Sequence, residues 1–152
     1  LKKKLQEQFP AMEDTFEEMF PKKGNVYVAK CPGKVELIAL DLVPAFFSKQ
    51  GGPIVPTLRL LHQFPQMLPK MVVDEGAAVH IMSGSNVFCA GFTGPAGVIP
   101  EGLEKNTIVG VYVQGKEHAV AIGKTALSGE DMKRKNKGNA VTTLHYLADG
   151  LW

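Results

Sequence analysis

The sequence predicts an α+β protein in two parts: a small helix-and-strand domain, then a domain of short strands forming a closed or nearly closed β-barrel. Three observations carry this. After residue 24 the spacing of apolar residues changes from helical to alternating. Eight of the ten prolines lie in residues 1–69, whereas twelve of the sixteen glycines lie beyond, so the two halves are built differently. The second half contains five or six short β-rich runs and only two brief helical patterns, which is how small barrels read. A chain of 152 residues suits one ordinary domain or two small ones. The seam falls at Phe64-Pro65-Gln66-Met67-Leu68-Pro69, where two prolines bar a continuous helix, giving domains 1–68 and 69–152.

In the first half, Leu5, Phe9, Met12, Phe16 and Met19 recur at spacings of four and three beside Glu7, Glu13, Glu17 and Glu18, an amphipathic helical stripe. Pro10 breaks it into two helices, the second ending before Pro21. Beyond Lys22-Lys23-Gly24, Val26 and Val28 begin a strand, and Val35 to Leu40 form its partner across the Pro32-Gly33 turn. A third strand runs from Val43 to Phe47 and ends at Gly51-Gly52-Pro53. Pro56 to His62 then reads as a helix, with Leu58 and Leu61 facing inward.

In the second half, Met71-Val72-Val73 is apolar and Asp74 is placed to cap a short helix through Ala77, Ala78 and Ile81 that stops at Gly84. Val87-Phe88-Cys89 begins a strand, followed by a loop from Gly91 to Gly97. Thr107–Val113 and His118–Gly123 form a hairpin about Gln114-Gly115. Ser128-Gly129-Glu130-Asp131 opens a basic helix that stops at Gly138. A final strand spans Val141 to Leu147.

Composition and motifs exclude several classes. No 18 apolar residues run together, so no membrane-spanning helix is expected, and Lys2-Lys3-Lys4 is followed by polar residues, unlike a signal peptide. Cys31 and Cys89 stand 58 residues apart, which is neither a disulfide framework nor a zinc motif. The simplest expectation is a reduced, soluble, intracellular protein. Gly123-Lys124-Thr125 lacks the earlier glycine and following helix of a phosphate-binding loop, and Gly91, Gly94 and Gly97 are not spaced as a dinucleotide fingerprint. His62, His80, His118 and His145 have no second ligand at metal spacing. The expectation is no catalytic residue, no metal and no cofactor.

Nucleic acid is the remaining direction. Lys133-Arg134-Lys135-Asn136-Lys137 places four cations at a helix end, where the helix dipole alone also favours positive charge. Lys116 and Lys124 flank the predicted hairpin and could extend a basic stripe towards them. The half carries eight basic and eight acidic residues, so the argument rests on local clustering.

Val73-Asp74-Glu75-Gly76-Ala77, followed by Ser83-Gly84-Ser85-Asn86-Val87-Phe88-Cys89-Ala90-Gly91, resembles the opening of a PUA domain, an RNA-binding pseudobarrel. Ala90 stands where that pattern has proline. Glu7-Gln8-Phe9-Pro10, Met19-Phe20-Pro21-Lys22-Lys23, Pro56-Thr57-Leu58-Arg59-Leu60-Leu61-His62, Asn136-Lys137-Gly138 and Leu144 to Trp152 resemble the malignant T-cell-amplified sequence protein family nearly end to end. That family usually carries a further N-terminal stretch, which implies a trimmed chain.

The resemblance implies an N-terminal α/β domain followed by a PUA domain. It implies a non-enzymatic, cytoplasmic translation factor that works with density-regulated protein on the small ribosomal subunit, in reinitiation and recycling, and that handles tRNA or other structured RNA. In PUA domains RNA lies against the first helix, the glycine-containing turn and the second strand. Carried over, this points to Gly76, Ala77, Ser83, Gly84, Ser85, Asn86 and Gly91 as RNA contacts, joined by Lys116, Lys124, Lys133, Arg134, Lys135 and Lys137. The alternative for the glycines is that they only make turns. Phe46, Phe47, Leu58, Leu61 and Phe64 are read as core or, where exposed, as a protein-partner surface. Rival readings are a protein adaptor and the RNA-targeting module of a modification complex.

Overall fold

Helical periodicity and the Pro10 break act together at the start of the chain. The computed structural model describes residues 2–20 and 24–152; the expected helix stop at Pro21 and the Lys22-Lys23 pair lie outside the described residues. The chain divides into two compact units, Leu1–Met67 and Leu68–Trp152.

In the first unit, α1 (Lys2–Gln8) leads through a 3-10 turn (Pro10–Thr15) into α2 (Phe16–Met19). Pro10 sits near the start of the 3-10 turn, where its missing N–H costs nothing. All five residues of the predicted stripe are buried. The chain then forms an antiparallel sheet of β1 (Val26–Cys31), β2 (Val35–Leu40), β3 (Val43–Lys49) and the two-residue β4 (Val55–Pro56), ordered as in the sequence. Asp41 and Leu42 turn the chain from β2 to β3 with φ of 50° and 69°. Such a turn normally carries Asn-Gly or Asp-Gly, so Leu42 is out of character there. Asp41 donates its N–H to Asn25 O, and its carboxylate accepts from Asn25 N. Next, α3 (Leu58–Gln63) is capped by Thr57, whose Oγ1 accepts from Leu60 N at 3.3 Å.

The second unit holds a five-stranded sheet in the order β5-β7-β8-β9-β6. Its strands are β5 (Lys70–Val73), β6 (Val87–Phe88), β7 (Ile108–Val113), β8 (Ala121–Thr125) and β9 (Asn139–Tyr146). β5 pairs parallel with β7, and the other pairs are antiparallel. All six residues of β7 are buried, so both of its faces are covered. The core gathers Met71, Val73, Val109, Val111, Val141, Phe92 and Met132. A Cβ built on Gly123 of β8 would lie 2.3 Å from Val141 Cγ1 and 2.7 Å from Thr142 O, so β9 crosses there closer than any side chain allows.

Three helices decorate this sheet. Asp74 Oδ1 accepts from Ala77 N at 3.1 Å and opens a 3-10 turn (Glu75–Ala77) continuing into α4 (Ala78–Ile81). The segment after β6 corrects the sequence expectation. The strand is only two residues long, and Cys89–Thr93 forms a helix, α5, where a strand and loop were expected. Buried Phe92 provides the reason: one helical turn is enough to put it in the core. α5 packs against β5, β6 and β9, closing the gap between the two edge strands that hydrogen bonding leaves open. Finally, α6 (Gly129–Lys135) is capped by Ser128 Oγ, which accepts from Asp131 N. It ends at left-handed Asn136 (φ 48°), two residues before the anticipated stop at Gly138.

Candidate nucleic-acid interface

α4, the turn after it and β6 converge on a cleft of about 300 Å³ lined by Ala77, His80, Ile81, Ser85, Asn86, Val87, Phe88, Ala90 and Gly91. Four expected RNA contacts therefore meet in one place: Ala77, Ser85, Asn86 and Gly91. The turn is fixed from behind. Ser85 N donates to His80 O, Asn86 Oδ1 accepts from Thr143 N, and Ser85 O accepts from Thr143 Oγ1. With its carbonyl oxygen tied to the strand, Asn86 shapes the rim more than it offers an acceptor.

The remaining turn residues serve the fold. Gly84 has φ of 86° and lies beneath the Tyr146 ring, 3.0 Å from where a Cβ would sit, so it is required by both conformation and space. Ser83 Oγ donates to Val79 O and closes the helix. Gly76 lies exposed in the 3-10 turn. Gly91 is different again. It belongs to α5, and a Cβ there would meet Val87 and Val73 at ordinary distances of 3.5 and 3.7 Å. Neither turn-making nor crowding demands glycine at this position.

Sequence reasoning missed five cleft residues, His80, Ile81, Val87, Phe88 and Ala90, of which Phe88 and His80 offer rings to the rim. Phe88 is 62% exposed at the rim, and His80 is exposed beside it. An exposed aromatic flanking an apolar floor can stack a planar ring. A two-residue strand has no periodicity from which its outward face could be read.

The basic run lies next to this cleft. Cys89 N, at the start of α5, donates to Gly138 O just after α6. Burial pushes the Cys89 thiol above its usual range, while backbone hydrogen bonds and the charge of Lys135 pull the other way. Lys133, Lys135 and Lys137 are exposed, and Arg134 Nη2 is 2.6 Å from Asp131 Oδ1, so part of its charge is answered within the helix. Lys124 lies on β8 opposite Thr142, at the α6 end of the strand. Lys116 is in the turn after β7, at the far end of the sheet from α6, so the proposed stripe through it is not continuous.

The expected partner surface of the first unit needs correction. Phe46, Leu58 and Leu61 are at most 1% exposed and cannot face a partner; Phe47 and Phe64 are half-buried. Their alternation and helical spacing put them inward, as core residues. Among the described residues of this unit, the large apolar side chains that do reach the surface are Val26, Tyr27, Val28, Leu42 and Val43. His145, scattered in sequence, is buried with Nδ1 2.6 Å from Asp149 Oδ2. Among the described residues no cluster of three His, Cys, Asp or Glu could hold a metal ion, and no helix is long and apolar enough to cross a membrane.

Two family models match the chain: a Pre-PUA-like domain over residues 1–65 and a PUA domain over residues 69–147. The chain is 42% identical to translation machinery-associated protein 20 of Eremothecium gossypii, covering 100% of this chain and 84% of that protein. It is 40% identical to malignant T-cell-amplified sequence 1 of Rattus norvegicus, covering 100% and 83%. Among solved structures, a hypothetical protein of Pyrococcus horikoshii matches with a TM-score of 0.78 at 29% identity, over 100% of this chain and 95% of that one.

Proposed function

The chain belongs to the family of malignant T-cell-amplified sequence proteins and translation machinery-associated protein 20, and from that premise we propose that it is a non-enzymatic, RNA-binding translation factor of the cytoplasm. In this reading it binds the small ribosomal subunit and tRNA or other structured RNA through its PUA unit. It acts with density-regulated protein in reinitiation and post-termination recycling. The observation that carries the RNA role is the adjacency of two unlike features, the apolar cleft with Phe88 at its rim and the basic run Lys133–Lys137, joined through the Cys89–Gly138 hydrogen bond.

The division of labour follows from chemistry. Lys133, Lys135 and Lys137, with Arg134 and Lys124, hold phosphates; these contacts position the RNA without reading its sequence. The cleft takes an unstacked base, with Phe88 as stacking surface and the small residues Ala77, Ala90 and Gly91 leaving room for it. Gly76, Ser83 and Gly84 shape the approach, and Lys116 contributes only to the general field. A factor that works by placement has no need of a nucleophile or acid–base pair.

Gradient co-sedimentation with purified small ribosomal subunits, with and without density-regulated protein, tests the reading. Comigration strengthened by the partner is expected, and its absence in both conditions overturns the ribosomal role. Reversing Lys133, Arg134, Lys135 and Lys137 to Glu is expected to abolish RNA binding while partner binding survives. If four phosphates are contacted, the logarithm of affinity falls with the logarithm of salt at a slope of roughly −3 to −4.

A further inference from the structure

β1 is an edge strand: among the described residues it pairs only with β2, in register from Val26↔Leu40 to Cys31↔Val35. Edge strands expose a row of unpaired main-chain groups, and proteins usually blunt them with prolines, bulges or inward charges. β1 reads Val-Tyr-Val-Ala-Lys-Cys, without proline, and its pairing to β2 is free of bulges. Because Asp41 N donates to Asn25 O, alternation along the ladder turns the N–H and C=O groups of Val26, Val28 and Lys30 away from β2. The side chains are open as well, with Val26 48% and Val28 57% exposed.

The two ends of this edge differ in chemistry. At the Cys31–Val35 end Lys30, near the end of β1, and Lys34, in the turn, stand with one carboxylate, Glu36, which lies opposite Lys30. At the other end Leu42 and Val43 are exposed, and the carboxylate of Asp41 is taken up by Asn25 N. We propose that β1 is the docking edge for an extended segment of a protein partner, which adds as a fifth strand with apolar residues beside Val26 and Val28 and an acidic residue beside Lys30. Main-chain pairing supplies the affinity and the two unlike ends set the register. A second copy of β1 running antiparallel would bring Val26 to Lys30, and so lacks the acid that the basic end calls for.

This inference rests on the reading of density-regulated protein as the partner, and that protein is the probe. Val28→Pro removes an outward N–H while leaving every β1–β2 bond intact, since proline is accommodated on edge strands. Lys30→Gln removes only charge. With melting temperatures unchanged, titration calorimetry on the whole chain is expected to show roughly tenfold weaker binding for Val28→Pro. For Lys30→Gln the expected weakening is about threefold. Binding of both variants at wild-type strength overturns the docking edge and leaves the partner reading standing. No binding by the wild type overturns the partner reading and this inference with it. A dimer of the chain alone, dissociated by Val28→Pro in light scattering, overturns it in favour of a second copy.

Discussion

Gln8 pairs with the main chain of Ile54 as a neighbouring strand would: its Nε2 donates to Ile54 O at 2.8 Å, and its Oε1 accepts from Ile54 N at 3.0 Å. One side-chain amide thus ties α1 to the segment that leads into β4, across 46 residues of sequence. Gln8→Ala leaves both groups of the buried Ile54 without their partner. A loss of about 1–3 kcal/mol is expected in urea unfolding. A midpoint unchanged from wild type would show that water replaces the amide at no cost.

Gly91→Ala and Gly123→Ala should separate a ligand-facing glycine from a structural one. At Gly123 the new methyl meets the Thr142 backbone as well as Val141, and a loss of roughly 2–4 kcal/mol is expected. At Gly91 the helix gains up to about 1 kcal/mol from alanine, while the cleft loses space. RNA affinity measured by fluorescence anisotropy should therefore fall in a protein that is no less stable. Unchanged affinity would take Gly91 out of the interface.

Asp149 gives the second unit a dependence on pH. Burial alone would raise its carboxyl, but hydrogen bonds from His145, Tyr146 N and Trp152 N outweigh it and hold the group below the usual carboxylate range. A depressed folded-state value means that its stabilisation is complete above the unfolded carboxyl's titration, near about pH 4, and fades as pH falls through the folded value. The stability difference between wild type and Asp149→Asn should accordingly be largest at neutral pH and shrink in acid. A difference that stays constant from neutral pH into acid would mean that the charge of Asp149 contributes nothing.

Leu42 holds φ of 69° while 76% exposed, so its side chain gains little from the fold and its backbone bears the strain. Leu42→Gly is expected to raise the unfolding midpoint, by up to about 1 kcal/mol in stability, with wild-type RNA binding. A destabilised variant would mean that Leu42 is anchored by contacts within the unit.

Much of the fold was legible because local chemistry and global packing agree in it. Asp74 and Ser128 cap the helices they precede, and the alternation of Val26 to Leu40 gives a real hairpin. Legibility failed where one burial requirement overrode local cues. Gly91, Gly94 and Gly97 read as a loop, yet Phe92 needs one helical turn to reach the core. β4 is too short for any period to show. For the candidate site, the small residues Ala77, Ser85 and Gly91 were recoverable only from the family pattern. Phe88 escaped because exposure at a two-residue strand is settled by what packs around it, whereas the inward facing of Leu58 and Leu61 was legible from helical spacing.

The hydrogen bond from Cys89 N to Gly138 O makes the cleft and the basic run parts of one body. Two weak contacts held at a fixed spacing act as a bivalent receptor. In the proposed reading, a phosphate held at Lys135 would present a neighbouring base to the cleft at an effective concentration on the order of millimolar. An apolar cleft with few hydrogen-bonding groups then suffices, because the backbone contact has already paid most of the entropy of association.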